Sequence, residues 1–172
     1  RYQNQYQYVL VDEYQDTNQA QYVITKLLVG RWKNLCAVGD FSQSIYRWRG
    51  ADFRNLSRLK EDFPNLKVIS LERNYRSTQM ILDAAHAVIS RNTAHPVLEL
   101  WTDRKQGDKV YVVEVSDEQA ETWFIVNELQ DFNYGDCAVL YRTNAQSRVI
   151  EEGLLKTGIP YVLIGGTRFY ER

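Results

Sequence analysis

An apolar run that stops at two adjacent carboxylates constrains this chain more than any other stretch. Tyr8-Val9-Leu10-Val11 leads directly into Asp12-Glu13 and then Tyr14-Gln15-Asp16-Thr17-Asn18. Such a run predicts a strand buried on both faces of a parallel sheet, with its acids at the carboxyl edge. That edge is where open α/β sheets take their ligands. One acid there can hold Mg²⁺ while its neighbour polarises an attacking water. The plainer alternative is a strand that ends in a solvated acidic turn, and the residues that follow must decide between the two.

The arrangement recurs along the chain. Asp16, Thr17 and Asn18 offer capping side chains for a helix with apolar positions Ala20, Val23, Ile24, Leu27 and Leu28, ending near Gly30. Leu35-Cys36-Ala37-Val38 predicts a second buried strand, stopping at Gly39-Asp40 before the polar turn Ser42-Gln43-Ser44. Ile45-Tyr46-Arg47-Trp48-Arg49-Gly50 then alternates aromatic or apolar with basic residues, and Phe53, Leu56, Leu59 and Phe63 mark one face of a helix. Residues 66–71 predict a third strand, which runs into Glu72-Arg73-Asn74-Tyr75-Arg76-Ser77. Ser77 or Thr78 can cap a helix with apolar positions Ile81, Ala84, Ala85, Val88 and Ile89.

Farther on, residues 109–115, 136–141 and 161–164 predict strands. Between them lie a helix opened by a capping box at residues 116–119 and running through Phe132, and another from about Ala145 to Lys156. Alternating strands and helices argue for parallel sheets built from right-handed βαβ units. The expected architecture is therefore α/β in two incomplete lobes, residues 1–77 and residues 78–172.

A chain of 172 residues has room for one ordinary domain or two small lobes. Its net charge of -1, from 21 basic and 22 acidic residues, excludes selection of nucleic acid by bulk charge and leaves that task to a local patch. Cys36 and Cys137 sit in apolar runs without metal-ligand spacing, which suggests a reduced, cytoplasmic setting. His86 and His95 have no partners that suggest a ligand set, and no apolar stretch is long enough to span a bilayer. The chain opens on Arg1 and enters its first strand almost at once, as a piece of a larger protein would.

Phosphate chemistry can be assembled from the three strand ends. Asp12 and Glu13 supply metal binding and water activation, Gln43 senses a terminal phosphate, and Arg76 meets its charge. Taken singly, each has a plainer role: Gln43 as a turn residue, Tyr75 as a core or capping aromatic, and Arg76 in a surface ion pair with Glu72 or Asp83. Tyr46, Trp48 and Arg49 either fill a core or stack on unpaired bases, an interaction of about 1 to 3 kcal/mol per base. No G-x-x-x-x-G-K-[ST] phosphate loop occurs in the chain, so ATP binding by these residues alone is not expected.

Read together, the segments Val11 to Asn18, Ala37 to Ala51 and Leu71 to Thr78 closely resemble motifs II, III and IV of the UvrD/PcrA/Rep family of superfamily 1 DNA helicases. The segments Ala138 to Arg148 and Gly165 to Arg172 resemble that family's second motor domain. The resemblance implies a parallel-sheet, RecA-like P-loop NTPase fold, with residues 1–77 as the C-terminal half of the first motor domain (1A) and residues 78–172 as the N-terminal part of the second (2A). It implies ATP and Mg²⁺ as cofactors. Asp12 would be the metal ligand, Glu13 the catalytic base and Gln43 the link between γ-phosphate and DNA site. Tyr75 would stack on adenine, and Arg76 would contact the γ-phosphate.

Tyr46, Trp48 and Arg49 would line a single-stranded DNA track, with further contacts from Arg142 and Asn144. The implied activity is ATP-driven 3′ to 5′ translocation and duplex unwinding in repair or replication. Its implied partners are single-stranded DNA, single-strand/duplex junctions and loading proteins, with no membrane. The family's Walker A segment and motifs V and VI have no counterpart in these residues, so the chain alone is expected to be inactive. Two other readings are the motor portion of a helicase–nuclease subunit and a non-catalytic DNA-binding module.

Overall fold

The computed structural model describes residues 1–164, so the resemblance carried by residues 165–172 lies outside them. The chain divides into two compact units, residues 1–110 and residues 111 onward. In the first, a one-turn helix, α1 (Tyr2–Gln5), precedes β1 (Val9–Val11), and α2 (Gln19–Val29) carries the chain back to β2 (Leu35–Ala37). The strands pair in parallel, with Val9 opposite Leu35 and Val11 opposite Ala37. The turn after Asp16 becomes a helix because Asn18 and Gln21 satisfy each other's free backbone N–H groups, a reciprocal capping box.

Side chains alternate across a sheet, and among the described residues only one face of this one is covered. Val11, Leu35 and Ala37 pack against Tyr14, Tyr22 and Leu59, with Leu56, Phe63 and Leu66 around them. Leu56 and Leu59 come from α3 (Arg54–Asp62), whose apolar face is the one expected. The expectation of a first strand buried on both faces is corrected. Leu10 is 76% exposed and Cys36 is also exposed, because α2 and α3 both pack on the Val11 side.

The buried stripe of α2 also differs, being Tyr22, Thr25 and Val29 rather than Val23, Ile24 and Leu27. This helix is apolar around most of its circumference, so its neighbours choose the face. The Tyr22 hydroxyl, which donates to Asp62, settles the choice by satisfying its polar tip at the edge of the core. Burial and that carboxylate together push the Tyr22 hydroxyl's pKa well up. Lys26, 2.6 Å from Asp62, holds the Asp62 carboxyl below the usual carboxylate range.

Residues 66–71 form no strand; Val68, Ile69 and Leu71 are exposed. Pairing resumes just beyond them as a single parallel bridge between Arg73 and Trp101. The following helix, α4 (Gln79–Ile89), buries Leu82, whereas Ile81 and Val88 of the expected stripe are exposed.

In the second unit, α5 (Glu118–Leu129) and α6 (Asn144–Lys156) pack around Val126, Ile150, Leu154 and Ile159, flanked by Val139 and Tyr161. Asp117 starts α5 by accepting the Ala120 N–H at 2.8 Å, which also lowers its own carboxyl pKa. The expected capping box at this helix is thus a single Asp cap. A full box, Thr143 with Gln146, opens α6. The strands expected at 109–115, 136–141 and 161–164 are absent: Val112 is 96% exposed and Leu140 93%. Extended backbone becomes a strand only when a neighbour takes up its N–H and C=O groups, and among the described residues no ladder pairing forms at these segments. Among the described residues no helix is long and apolar enough to cross a membrane.

Close contact of α5 with α6 depends on Gly153, where an added Cβ would lie 2.2 Å from the Thr122 methyl. Gly153→Ala gains about 1 kcal/mol of helix propensity but overpacks the contact by about 1 to 3 kcal/mol. We expect a net loss of stability in urea denaturation. Adding Thr122→Ala should recover it; additive losses would place the strain elsewhere.

Candidate functional site

The acids of the opening run sit where the parallel pair ends. After Val11 the backbone turns sharply, and Glu13 takes the left-handed conformation, φ 50°, ψ 44°. A residue with a side chain visits that region at a cost of about 1 to 3 kcal/mol, and it persists where surrounding bonds enforce it. Here the Glu13 N–H donates to Asp12 Oδ1 at 2.9 Å, and the next N–H, that of Tyr14, donates to the Val38 carbonyl at 2.9 Å. The carboxylates are thereby turned out of the strand, and both residues are exposed.

Gln15 holds this edge together. It is 1% exposed; its Nε2 donates to Glu13 Oε2 at 2.6 Å, and its Oε1 accepts the Asp40 N–H at 3.1 Å. The Ser44 hydroxyl donates to its carbonyl at 3.3 Å. One buried amide therefore spans the ends of both strands. Gly39 makes room for it, because a Cβ there would lie 2.8 Å from Gln15 Oε1. On the β2 side, Asp40 accepts the Ser42 N–H and the Gln43 Nε2, each at 2.9 Å, which fixes the short 3₁₀ turn over Phe41–Gln43. The structure thus joins Asp12, Glu13, Asp40 and Gln43 into one bonded edge. Sequence reasoning passed over Gln15, although a Gln two residues beyond a strand-end acid pair was available as a signal.

An open groove beside the edge is lined by Asp12, Glu13, Asp16 and the first turns of α2. Asp16 Oδ1 is buried without a hydrogen-bond partner. Among the described residues, no cluster of three or more His, Cys, Asp or Glu gathers to cage a metal. The exposed Asp12 and Glu13 carboxylates beside this open groove fit Mg²⁺, which takes one or two protein carboxylates and keeps its other positions for water and phosphate.

The aromatic-basic stretch is a 3₁₀ turn over Arg47–Arg49 closed by Gly50 at φ 85°. Trp48 is 70% exposed, so it fills no core. The Arg49 guanidinium lies 4.5 Å from the Trp48 ring centroid and 5.4 Å from that of Tyr46. This surface is tied back to the acidic edge. Asn18 bridges Ala51, the Asp52 N–H donates to the Thr17 carbonyl at 3.0 Å, and buried Asn55 donates to the same carbonyl at 2.9 Å.

Tyr75 and Arg76 occupy a separate loop of the same unit. Asn74 Oδ1 accepts the N–H groups of Arg76 and Ser77, and Arg104 Nη1 donates to the Arg76 carbonyl at 2.9 Å. Among the described residues no carboxylate pairs with the Arg76 guanidinium, so the expected alternative of a bridge to Glu72 or Asp83 is not formed; Asp83 instead accepts Gln79 Nε2. Arg142 and Asn144 lie in the second unit, at the start of α6, both exposed.

Acids at the carboxyl edge of parallel strands, linked to a polar turn on the neighbouring strand, characterise nucleotide-handling α/β proteins as a class. Comparison with known proteins narrows the class. The model of the UvrD/REP helicase N-terminal domain matches residues 1–64, and that of the UvrD-like helicase C-terminal domain matches residues 69–172. The chain belongs to the UvrD-like helicase family, whose domains have the RecA-like P-loop fold. It is 51% identical to the ATP-dependent DNA helicase PcrA of Staphylococcus epidermidis over 99% of its own length and 24% of the relative's. The corresponding Staphylococcus aureus protein is 49% identical over the same shares. The chain thus spans about a quarter of the length of these relatives.

Replacing Gln15 with Leu removes the amide but keeps the bulk. The half-buried Asp40 N–H then loses its partner, and we expect a loss of about 1 kcal/mol in chemical denaturation. Stability unchanged within error would show that the bridge contributes nothing.

Proposed function

We propose that this chain is the central motor segment of an ATP-dependent 3′ to 5′ DNA helicase. The observation that carries the proposal is the bonded edge joining the Asp12-Glu13 pair to Asp40 and Gln43, in a chain that belongs to a helicase family. Residues 1–77 and 78–172 are assigned to the first and second RecA-like motor domains, each incomplete here. The substrate is ATP; the track is single-stranded DNA, entered at single-strand/duplex junctions, in repair or replication and with loading proteins of those processes. The names of the relatives favour this reading over a helicase–nuclease or a non-catalytic DNA-binding module.

Asp12 holds Mg²⁺ in this reading. When bound, the ion neutralises charge on the β- and γ-phosphates. Glu13 takes the proton of the attacking water, its carboxylate aimed by the Gln15 amide and its backbone by the left-handed turn. Gln43 is held by Asp40 on the other strand end, where it reports the presence of the γ-phosphate to the Tyr46–Arg49 surface a few residues on. Tyr75 stacks on adenine and Arg76, free of any carboxylate among the described residues, meets the γ-phosphate. Tyr46, Trp48 and Arg49 stack on unpaired bases and pair with phosphate, and Arg142 and Asn144 add contacts to the same strand.

In the full-length protein, Glu13→Gln should keep nucleotide affinity and abolish DNA-stimulated ATP hydrolysis. Hydrolysis near the wild-type rate would remove Glu13 from the base role. Trp48→Ala should weaken single-stranded DNA binding by about 1 to 3 kcal/mol, measured by fluorescence anisotropy with a labelled oligonucleotide. Unchanged affinity would mean that the DNA track runs elsewhere.

A further inference from the structure

We infer that Arg73 is a positioning residue for the nucleotide base, acting through Tyr75, with Trp101 and Asp103 as its fixed support. The inference rests on the reading of Tyr75 as the base-stacking residue. The Arg73 guanidinium lies 4.9 Å from the Tyr75 ring centroid and 5.4 Å from that of Trp101, so one cation serves both rings. The same guanidinium pairs with the Asp103 carboxylate.

Its support is a backbone strap rather than another mobile side chain. Trp101 forms a parallel bridge with Arg73; its N–H donates to the Glu72 carbonyl at 3.0 Å, and its carbonyl accepts the Asn74 N–H at 2.7 Å. Thr102, buried next to it, donates its N–H to Gln79 Oε1 at 3.1 Å, and the Gln79 N–H returns to the Arg104 carbonyl at 3.0 Å. Residues 101–104 are thus laced to both sides of the Tyr75 loop.

Tyr75 itself is 70% exposed, and the Asn74 and Arg104 side chains hold its loop by the backbone of Arg76 and Ser77, not by the Tyr75 ring. An exposed tyrosine ring samples several rotamers, and a base that stacks on it must first order it. A guanidinium over one face restricts the ring and leaves a face for a planar base. Sequence gives no hint of this, because Trp101 is 28 residues beyond Arg73.

The test uses the full-length protein, with ATP and inorganic tripolyphosphate as probes; the second has the phosphate chain and no base. Arg73→Ala should raise KM for ATP about two- to fivefold, the range of an exposed cation–π contact, and leave kcat and the inhibition constant of tripolyphosphate unchanged. Arg73→Lys should recover part of the loss. In a Tyr75→Ala background, where KM is already raised, Arg73→Ala should add nothing. If Tyr75→Ala raises KM and Arg73→Ala does not, the positioning role is overturned and the stacking reading stands. If Tyr75→Ala leaves KM unchanged, the stacking reading fails and the inference with it. If Arg73→Ala weakens tripolyphosphate as much as ATP, Arg73 acts on phosphate and the inference is overturned.

Discussion

The hydrogen bonds of one buried amide, that of Gln15, hold the acidic edge of the candidate site together. Two short parallel strands leave their carboxyl ends as unpaired backbone and loose acidic side chains. The Gln15 side chain satisfies both at once, donating to the Glu13 carboxylate and accepting from the Asp40 backbone. Because the Gln15 amide is buried, losing either bond leaves one of its own polar atoms without a partner in the interior. The left-handed backbone at Glu13 and the missing side chain at Gly39 are the local adjustments that admit it.

From that edge, rigid connections spread to the surface where single-stranded DNA is proposed to lie. Thr17 caps the Tyr14 carbonyl and receives both Asp52 and Asn55, so the helix following the aromatic turn is anchored to the segment that carries the acids. The segment that carries the acids and the turn that carries Trp48 and Arg49 are thus tied by hydrogen bonds within one unit. The Tyr75 loop is braced differently, by a strap from residues 101–104. In both places an exposed aromatic side chain sits on a segment held from behind by backbone and buried side-chain hydrogen bonds.

Much of the site was legible because its chemistry is local in sequence. Asp12-Glu13 follow their strand directly, Gln43 follows the next, and the capping residues of α2 lie where hydrogen-bonding side chains at 16–18 suggested. The face of α2 that is buried was not legible, since Val23, Ile24 and Leu27 make as good an apolar stripe as Tyr22, Thr25 and Val29; the polar tip of Tyr22 found its partner 40 residues away. Nor was the fate of the runs at 66–71, 109–115 and 136–141. Their apolar composition favours extended backbone, but a strand is a property of a pair, and among the described residues these segments form no ladder.

The sequence by itself determined the order of the parts: acids at a strand end, a polar turn after the second strand, an aromatic-basic turn, and an Asn-Tyr-Arg loop. Each rests on residues adjacent in the chain, where spacing and side-chain type carry the chemistry. Tertiary structure alone decided which of them are joined. It set Gln15 between two strand ends, left Leu10 exposed on one face of the sheet, exposed Trp48, and brought Trp101 beneath Arg73. Those outcomes depend on contacts across 25 to 30 residues, where the cost of closing a loop is met by packing and buried hydrogen bonds rather than by local preference.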